Sequence, residues 1–430
     1  MTVMNWTTGK MDIAQGDPAK HQWRITIAAD WGAKQIWGEE DILESLMINR
    51  PEQVYGDLLP YIRNSDLRIV NVETVLGDRG APLAAKGGND KRFLIHADAR
   101  TVNALKAVPF DIGCLANNHT LDLSAEGLAE TIQVLQQAGI QTVGGGMNGA
   151  EAEKPLITEV KGTRVAIINC SEGEECRSVD GGPGAYGLEL HRVQSQIRQL
   201  QQTDAVIIVI FHGGREHTPT PPPYVVHDLR AIAEMGAHAV IAHHPHVPQG
   251  IELHHGVPIV YSLGNFVFWQ TDPAFYRHAG YIVHLDLSGS VLTGLEVTPY
   301  QVHKDGVRLM SANMRAKFAE DMTRVTRFLA NPVAIQEIWN AFMDRMGIEH
   351  IARRLEVGAG GLRNRDLKAT SHLINLFFTP AHRELYIQAM KRVMNGTFGD
   401  SPAWAKELVH YWLQYSLIEA VNLDAERQSI

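Results

Sequence analysis

Five short apolar runs in this chain each stop at a side chain able to hold a metal ion, and this constrains the fold more than any other feature. Residues 24–29 run into Asp30, 67–70 into Asn71 and Glu73, and 110–116 into Asn117, Asn118 and His119. Residues 205–211 run into His212, and 237–242 into His243, His244 and His246. Short apolar runs separated by helical patterns are what strands look like when helices cover a sheet. In open α/β sheets the loops beyond the strand ends form the ligand crevice, so the five polar clusters are expected to converge.

Helical patterns fill the intervals. Residues 125–138, entered at Ser124 and followed by Gly139, put Leu128, Ile132 and Leu135 on one stripe. Residues 224–235 do the same with Val225, Leu229 and Ile232 before Gly236. Further strands at 257–262, 281–287 and 291–301, the last two joined around Ser288-Gly289-Ser290, are expected to form a second sheet packed on the first. From about 312 onward the pattern is helical. Thr379 reads as an N-cap before Pro380, with Leu385, Ala389 and Val393 as a stripe and Gly396 as the stop. Trp404, Leu408, Trp412 and Tyr415 line one face of the last helix, a core or partner-docking face. Val357-Gly358-Ala359-Gly360-Gly361 lacks the Gly-Lys-Ser/Thr of a P-loop and reads as a hinge or loop; Gly144-Gly145-Gly146 reads as a tight loop. The chain thus divides into a polar leader (1–23), an α/β domain (24–311) and a helical C-terminal region (312–430).

The formal net charge of -9 points away from nucleic acid, because it repels a phosphate backbone over most of the surface. An anionic substrate then needs a local cation, either a metal or an arginine. Cys114, Cys170 and Cys176 are too few and too irregular for a disulfide framework or a thiolate cage, and fit a reducing compartment. No run approaches the ~18 apolar residues of a membrane span. The expectation is a cytoplasmic protein with no membrane anchor.

His243-His244-Pro245-His246 is the strongest chemical signal. Imidazoles are good ligands for zinc and iron and tolerable ones for manganese, and two of them two residues apart can face one site where the chain turns. Asp30 and Glu73 supply hard carboxylates at strand ends, and a carboxylate can bridge two cations. In Asn117-Asn118-His119, with Asp122 beyond, an asparagine carbonyl can complete a coordination shell. There the histidine can protonate a leaving group, and the aspartate can fix its tautomer and raise its pKa; the competing reading is a turn held by Asx hydrogen bonds. His212 is a further candidate ligand, and Gly213 and Gly214 let backbone approach a substrate. Arg215, Glu216 and Asn117 are assigned to substrate binding, Arg215 as the holder of an anionic oxygen. His217 and the proline-rich 219–223 are expected at the rim.

Together these segments resemble the CapA family of poly-γ-glutamate and capsule synthesis proteins, related to calcineurin-like metallophosphoesterases. The resemblance rests on Asn71-Val72-Glu73-Thr74, on Leu115-Ala116-Asn117-Asn118-His119-Thr120-Leu121-Asp122 and on His212-Gly213-Gly214-Arg215-Glu216. It continues through His243-His244-Pro245-His246-Val247-Pro248-Gln249-Gly250 and Tyr261-Ser262-Leu263-Gly264-Asn265-Phe266-Val267-Phe268, and covers about residues 24–302. It implies a four-layer α/β/β/α sandwich with the metal site at the sheet ends. It also implies Asp30, Glu73, Asn118, His212, His244 and His246 as ligands of one or two divalent ions (manganese, zinc or iron), and His119 as the acid–base residue. Spacing leaves open whether His243 or His244 takes the first histidine position. The superfamily's Asp-x-His is replaced here by Asp30-Trp31-Gly32, which predicts one metal position weaker or empty.

The combined expectation is a CapA-like metal-dependent hydrolase that uses a metal-bound hydroxide, with His119, oriented by Asp122, as general acid. Its substrate would be a small or oligopeptide anion carrying a phosphoester or a γ-glutamyl-type amide. The alternative is a non-catalytic assembly subunit of a capsule or amide-ligase complex, with its partner docked through the C-terminal helices.

Overall fold

The computed structural model describes residues 4–33, 42–83, 86, 94–178 and 181–420. A first sheet takes up β1 (Lys10–Asp12), β2 (Gln22–Trp31), β3 (Leu67–Val72), β4 (Ile112–Cys114) and β5 (Gln141–Val143). The chain then builds a second sheet from β6 (Leu156–Val160), β7 (Thr163–Ser171), β8 (Val206–His212), β9 (Ala239–His243), β10 (Ile251–His254) and β11 (Val257–Val260). It returns to the first with β12 (Asn265–Phe266), β13 (Ala279–Ser288), β14 (Val291–His303) and β15 (Gly306–Leu309). The first sheet has the order β1-β14-β13-β2-β3-β4-β5, with β12 on β2 and β15 on β14; the second is β10-β11-β9-β8-β7-β6. Strands β2 to β5 run parallel, as do β7, β8, β9 and β11.

This corrects the expected sheet assignment. The five site-bearing strands are divided, with β2, β3 and β4 in one sheet and β8 and β9 in the other. Strand β11 completes the second sheet, and the β13–β14 hairpin extends the first by pairing antiparallel with β2. An apolar run announces burial, but the partner it pairs with is chosen by the whole topology.

Helices α1 (Ile42–Asn49), α2 (Val102–Ala107) and α3 (Ser124–Gln137) pack on the first sheet, and α4 (Leu190–Gln201) and α5 (Pro223–Glu234) on the second. The period of two in β8 sorts its side chains. Ile208 and Ile210, with Ala239 and Ile241 of β9, share a core with Ile25 and Ile27 of β2. Ile207, Val209 and Phe211 pack instead with Val193 and Ile197 of α4 and Leu229 of α5. Both faces of β8 are therefore covered, which explains its unbroken apolar run. The result is a four-layer α/β/β/α sandwich, and the same alternation turns His212 and His243 toward the seam between the sheets.

The C-terminal helices are α6 (Ala312–Phe328), α7 (Pro332–Met346), α8 (Ile348–Asn364), α9 (Leu367–Phe378), α10 (Pro380–Met394) and α11 (Ala403–Gln414). Trp412 stacks on Tyr276 with centroids 3.7 Å apart, and Trp404 on Phe328, so the aromatic stripe packs onto the core. The polar leader is likewise folded in: β1 pairs with β14, Met4, Trp6 and Met11 are buried, and Trp6 Nε1 donates to Thr326 Oγ1 at 2.9 Å. The glycine run 357–361 is not a hinge but part of α8. A Cβ at Gly361 would lie 2.3 Å from Ala369 Cβ and one at Gly358 2.8 Å from Leu373, so these glycines let α8 and α9 approach closely. Ser124 and Thr379 cap nothing; their hydroxyls turn to Ala81 O and to Asn375. Val393 is 48% exposed and leaves the predicted stripe. Residues 219–222 are buried rather than at a rim. No helix among the described residues is long and apolar enough to cross a membrane.

Candidate metal centre

The strand ends of both sheets meet at one buried cluster. Between Ala28 and Asp30 the register of β2 against β3 shifts by one residue, a bulge that re-aims the strand end. Asp30 is fully buried, accepts from Asn71 Nδ2 at 2.8 Å and from the His244 backbone N–H at 3.1 Å, and lies 3.3 Å from His243 Nδ1. Burial alone would raise its carboxyl, but the adjacent His243, His212 and His246 rings outweigh that and hold it well below the usual carboxylate range.

Glu73 behaves in the opposite way. It is fully buried and neither carboxylate oxygen has a hydrogen-bond partner, although His212 Nε2 stands 3.4 Å and His246 Nε2 3.6 Å from Oε1. Burial pushes it up to about 7. A buried carboxylate without donors is costly unless something else neutralises it, and a cation does so.

The surrounding atoms fit that demand. His212 Nε2 lies 3.0 Å from Asn118 Oδ1 and 3.2 Å from His244 Nδ1, so lone-pair atoms converge with little between them. Glu73, His212 and His244 form one group whose ligand atoms all lie within 4.8 Å of one another; Asp30, Glu73 and His246 form another. Glu73 belongs to both, the position of a bridging carboxylate. His244 and His246 reach their places through left-handed backbone, at φ 102° and 55°, strain of a kind that clusters at functional sites. Burial pushes His212 down to about 3 and His244 to about 4, which keeps both imidazoles in the neutral form that binds metals. For His246 burial is outweighed by Glu73, Asp30 and Glu216, and its pKa is raised.

The structure brings all six predicted ligands together. It sets His244 with Glu73 and His212, and leaves His243 beside Asp30, outside both groups. The missing Asp-x-His histidine also finds a physical counterpart. A Cβ at Gly32 would lie 2.4 Å from the Phe268 ring, so that space is taken, and His246 packs against the same ring with centroids 5.5 Å apart. Asn265, paired in register with Asp30, holds His246 Nδ1 at 2.8 Å.

Beside the cluster, His119 Nδ1 lies 2.7 Å from Asp122 Oδ2, and its Nε2 stands 4.0 Å from Glu73. Asp122 also meets Lys86 Nζ at 3.0 Å and accepts from the Ile95 N–H at 2.6 Å. Burial would raise Asp122; His119 and Lys86 outweigh it and keep the carboxyl below its ordinary value. Asn117 does not face a substrate. Its amide donates to Val72 O and its Oδ1 accepts from the His119 N–H, so the predicted binding role gives way to shaping the turn. Arg215 and Glu216 do line a cleft of about 260 Å³ over Asn118, His119 and His244.

Several residues of the site and its cleft escaped sequence reasoning. Asn265 carried a signal, since it lies in the Ser-Leu-Gly-Asn-Phe segment, yet received no role. Lys86, Glu174, Arg354, His372 and His382, all lining the cleft, carried none.

The description "Bacterial capsule synthesis protein PGA_cap" matches residues 15–270, more than half of the chain. The chain belongs to this family. Among its relatives, "Capsule biosynthesis protein CapA" of Bacillus anthracis is 28% identical over 313 residues, covering 70% of this chain and 73% of that one. "PGA biosynthesis protein CapA" of Bacillus subtilis (strain 168) is 29% identical over 219 residues, covering 50% and 57%. This chain therefore matches little more than half the length of the second relative. A 5'-nucleotidase precursor from Thermus thermophilus aligns over 73% of this chain and 59% of its own at 14% identity, with a TM-score of 0.38, too low to carry any argument.

Proposed function

We propose that this chain is a metal-dependent hydrolase of small anionic substrates, with His119 as general acid. The observation that supports it most is Glu73, a buried carboxylate with no hydrogen-bond donor to either oxygen that belongs to both groups of histidine and carboxylate ligands. Asp30, Glu73, Asn118, His212, His244 and His246 would hold one or two divalent ions, and their mixed nitrogen and oxygen donors suit manganese, zinc or iron. A divalent cation held there supplies Lewis acidity toward an anionic oxygen and lowers the pKa of water.

The remaining work falls to the chain's own groups. Asp122, kept ionised by its partners, accepts from His119 Nδ1 and so directs Nε2 into the cleft, where it can give a proton to a leaving group. Lys86 Nζ meets Asp122 at 3.0 Å, stands 3.4 Å from His119 Nδ1 and donates to the Asn118 carbonyl, tying the acid to a ligand-bearing turn. Arg215 holds an anionic oxygen of the substrate.

One substrate class open to such a site is a phosphoester. A γ-glutamyl-type amide is the second reading, favoured by the family's own description and by relatives named for capsule and PGA biosynthesis; it would place a cytoplasmic enzyme in that metabolism. Aryl phosphate and γ-glutamyl peptide, each assayed with added manganese or zinc, separate the two. Turnover of neither would sink the hydrolase and leave an assembly subunit in its place.

A further inference from the structure

The cleft has a roof that the family match does not cover. Helices α8, α9 and α10, all beyond residue 270, bring Arg354, His372 and His382 into the same cavity as Asn118, His119 and His244. Arg215 rises to meet them from the β8 end: its Nη1 stands 3.4 Å from His382 Nδ1, and its guanidinium lies 5.8 Å from the Phe342 ring centroid. Arg215 Nε is buried with no hydrogen-bond partner. Among the described residues, neither Arg215 nor Arg354 lies within ion-pair distance of a carboxylate.

The cavity's own acids lie closer to imidazoles than to these cations. Glu174 is engaged by His382 Nε2 at 3.7 Å, and Glu216 stands 4.0 Å from His217, on the His246 side of the cleft. That leaves two guanidinium forks, flanked by two imidazoles, in a pocket whose other end is the metal-ligand cluster. Such forks match the paired oxygens of a carboxylate or phosphate.

We infer that the cleft selects its substrate by a second anionic group, a carboxylate or phosphate remote from the bond being cleaved, gripped by Arg215 and Arg354 beneath the C-terminal helices. This rests on the reading that substrate occupies this cleft. At about 260 Å³ the cavity has room for a small molecule or the end of a chain.

Calorimetric titration of the metal-loaded full chain with phenylphosphonate and 4-carboxyphenylphosphonate tests it without turnover, since the two differ by one distal carboxylate. The carboxylated ligand is expected to bind about tenfold tighter, and Arg354→Gln or Arg215→Gln to cut that preference below about threefold. Arg354 is exposed, so its variant should melt as wild type does. A third ligand, benzene-1,4-diphosphonate, reports whether the grip prefers phosphoryl or carboxyl oxygens. Equal binding of the first two, binding of neither, or a preference surviving both variants overturns the inference. A preference found in a chain that turns over neither phosphate nor amide would uphold the grip while removing the hydrolase reading.

Discussion

The floor of the cleft and its roof are built by opposite means. The floor's donors stand at the ends of strands from two facing sheets, sealed from water and held by strand register: Ser171, His212 and His243 lie opposite one another across β7, β8 and β9. The roof's guanidinium and imidazole groups ride on helices, with Arg354 exposed and His372 and His382 half-buried. A cation needs ligands fixed to a few tenths of an ångström, which a covered sheet provides. Recognition of a substrate's distal end needs only charge at roughly the right place, which packed helices can supply and vary.

If that contrast is right, damage to the floor should be far more severe than damage to the roof. Removing one donor from each ligand group with His244→Ala and His246→Ala together should lower turnover of the responsive substrate on the order of 10⁴-fold, read from kcat/KM at saturating metal. His119→Gln should cost about 10³-fold with metal content unchanged. Asp122→Asn, which removes the carboxylate that orients His119, should cost about 10- to 100-fold and move the pH profile. On the roof, Gly361→Val forces α8 against Ala369 and should destabilise the chain by about 2 kcal/mol in a denaturant titration, while the metal-to-protein ratio stays at the wild-type value.

The smallest effect separates the sheets from the helices by pH. His284 lies in the first sheet between Thr26 Oγ1 at 2.7 Å and Thr298 Oγ1 at 3.2 Å, and burial pushes it down to about 3. Because its folded pKa is depressed, the stability it contributes is present above about pH 6.5 and is lost as pH falls toward 3. At pH 5.5 the loss is about 1.4 kcal/mol. His284→Gln should therefore flatten the fall in melting temperature of the metal-free chain between pH 7 and 5.5; an unchanged slope would remove His284 from the account.

The same contrast explains what could be read from the amino acids. The floor was readable because period-two burial and the strand ends are local signals. Residues 205–211 announced a covered strand, and the side chain after it had to lie at its end. Which sheet each strand joined was not readable, since β13 meets β2 only after the chain has crossed to the second sheet and back. Between His243 and His244 the deciding factor was a left-handed φ at His244, which no spacing encodes. Asn117 looked like a site residue because it neighbours two, yet its amide is committed to the Val72 carbonyl. Gly358 and Gly361 read as a loop because glycine disfavours helix, but close packing on α9 overrode that tendency. The roof was silent because Arg354, His372 and His382 sit in ordinary amphipathic helices, and only the docking of those helices gives them a shared cavity.

Metal stoichiometry bears most directly on whether two groups of ligands share Glu73. After manganese or zinc loading and desalting, elemental analysis of the wild-type chain should find between about one and two ions per chain, the position that lacks the Asp-x-His histidine holding its ion less firmly. Glu73→Gln, which removes the carboxylate common to both, should bring that below about half an ion while the chain stays folded. A wild-type chain that retains essentially no metal, or a Glu73→Gln chain that retains as much as wild type, would contradict the central claim.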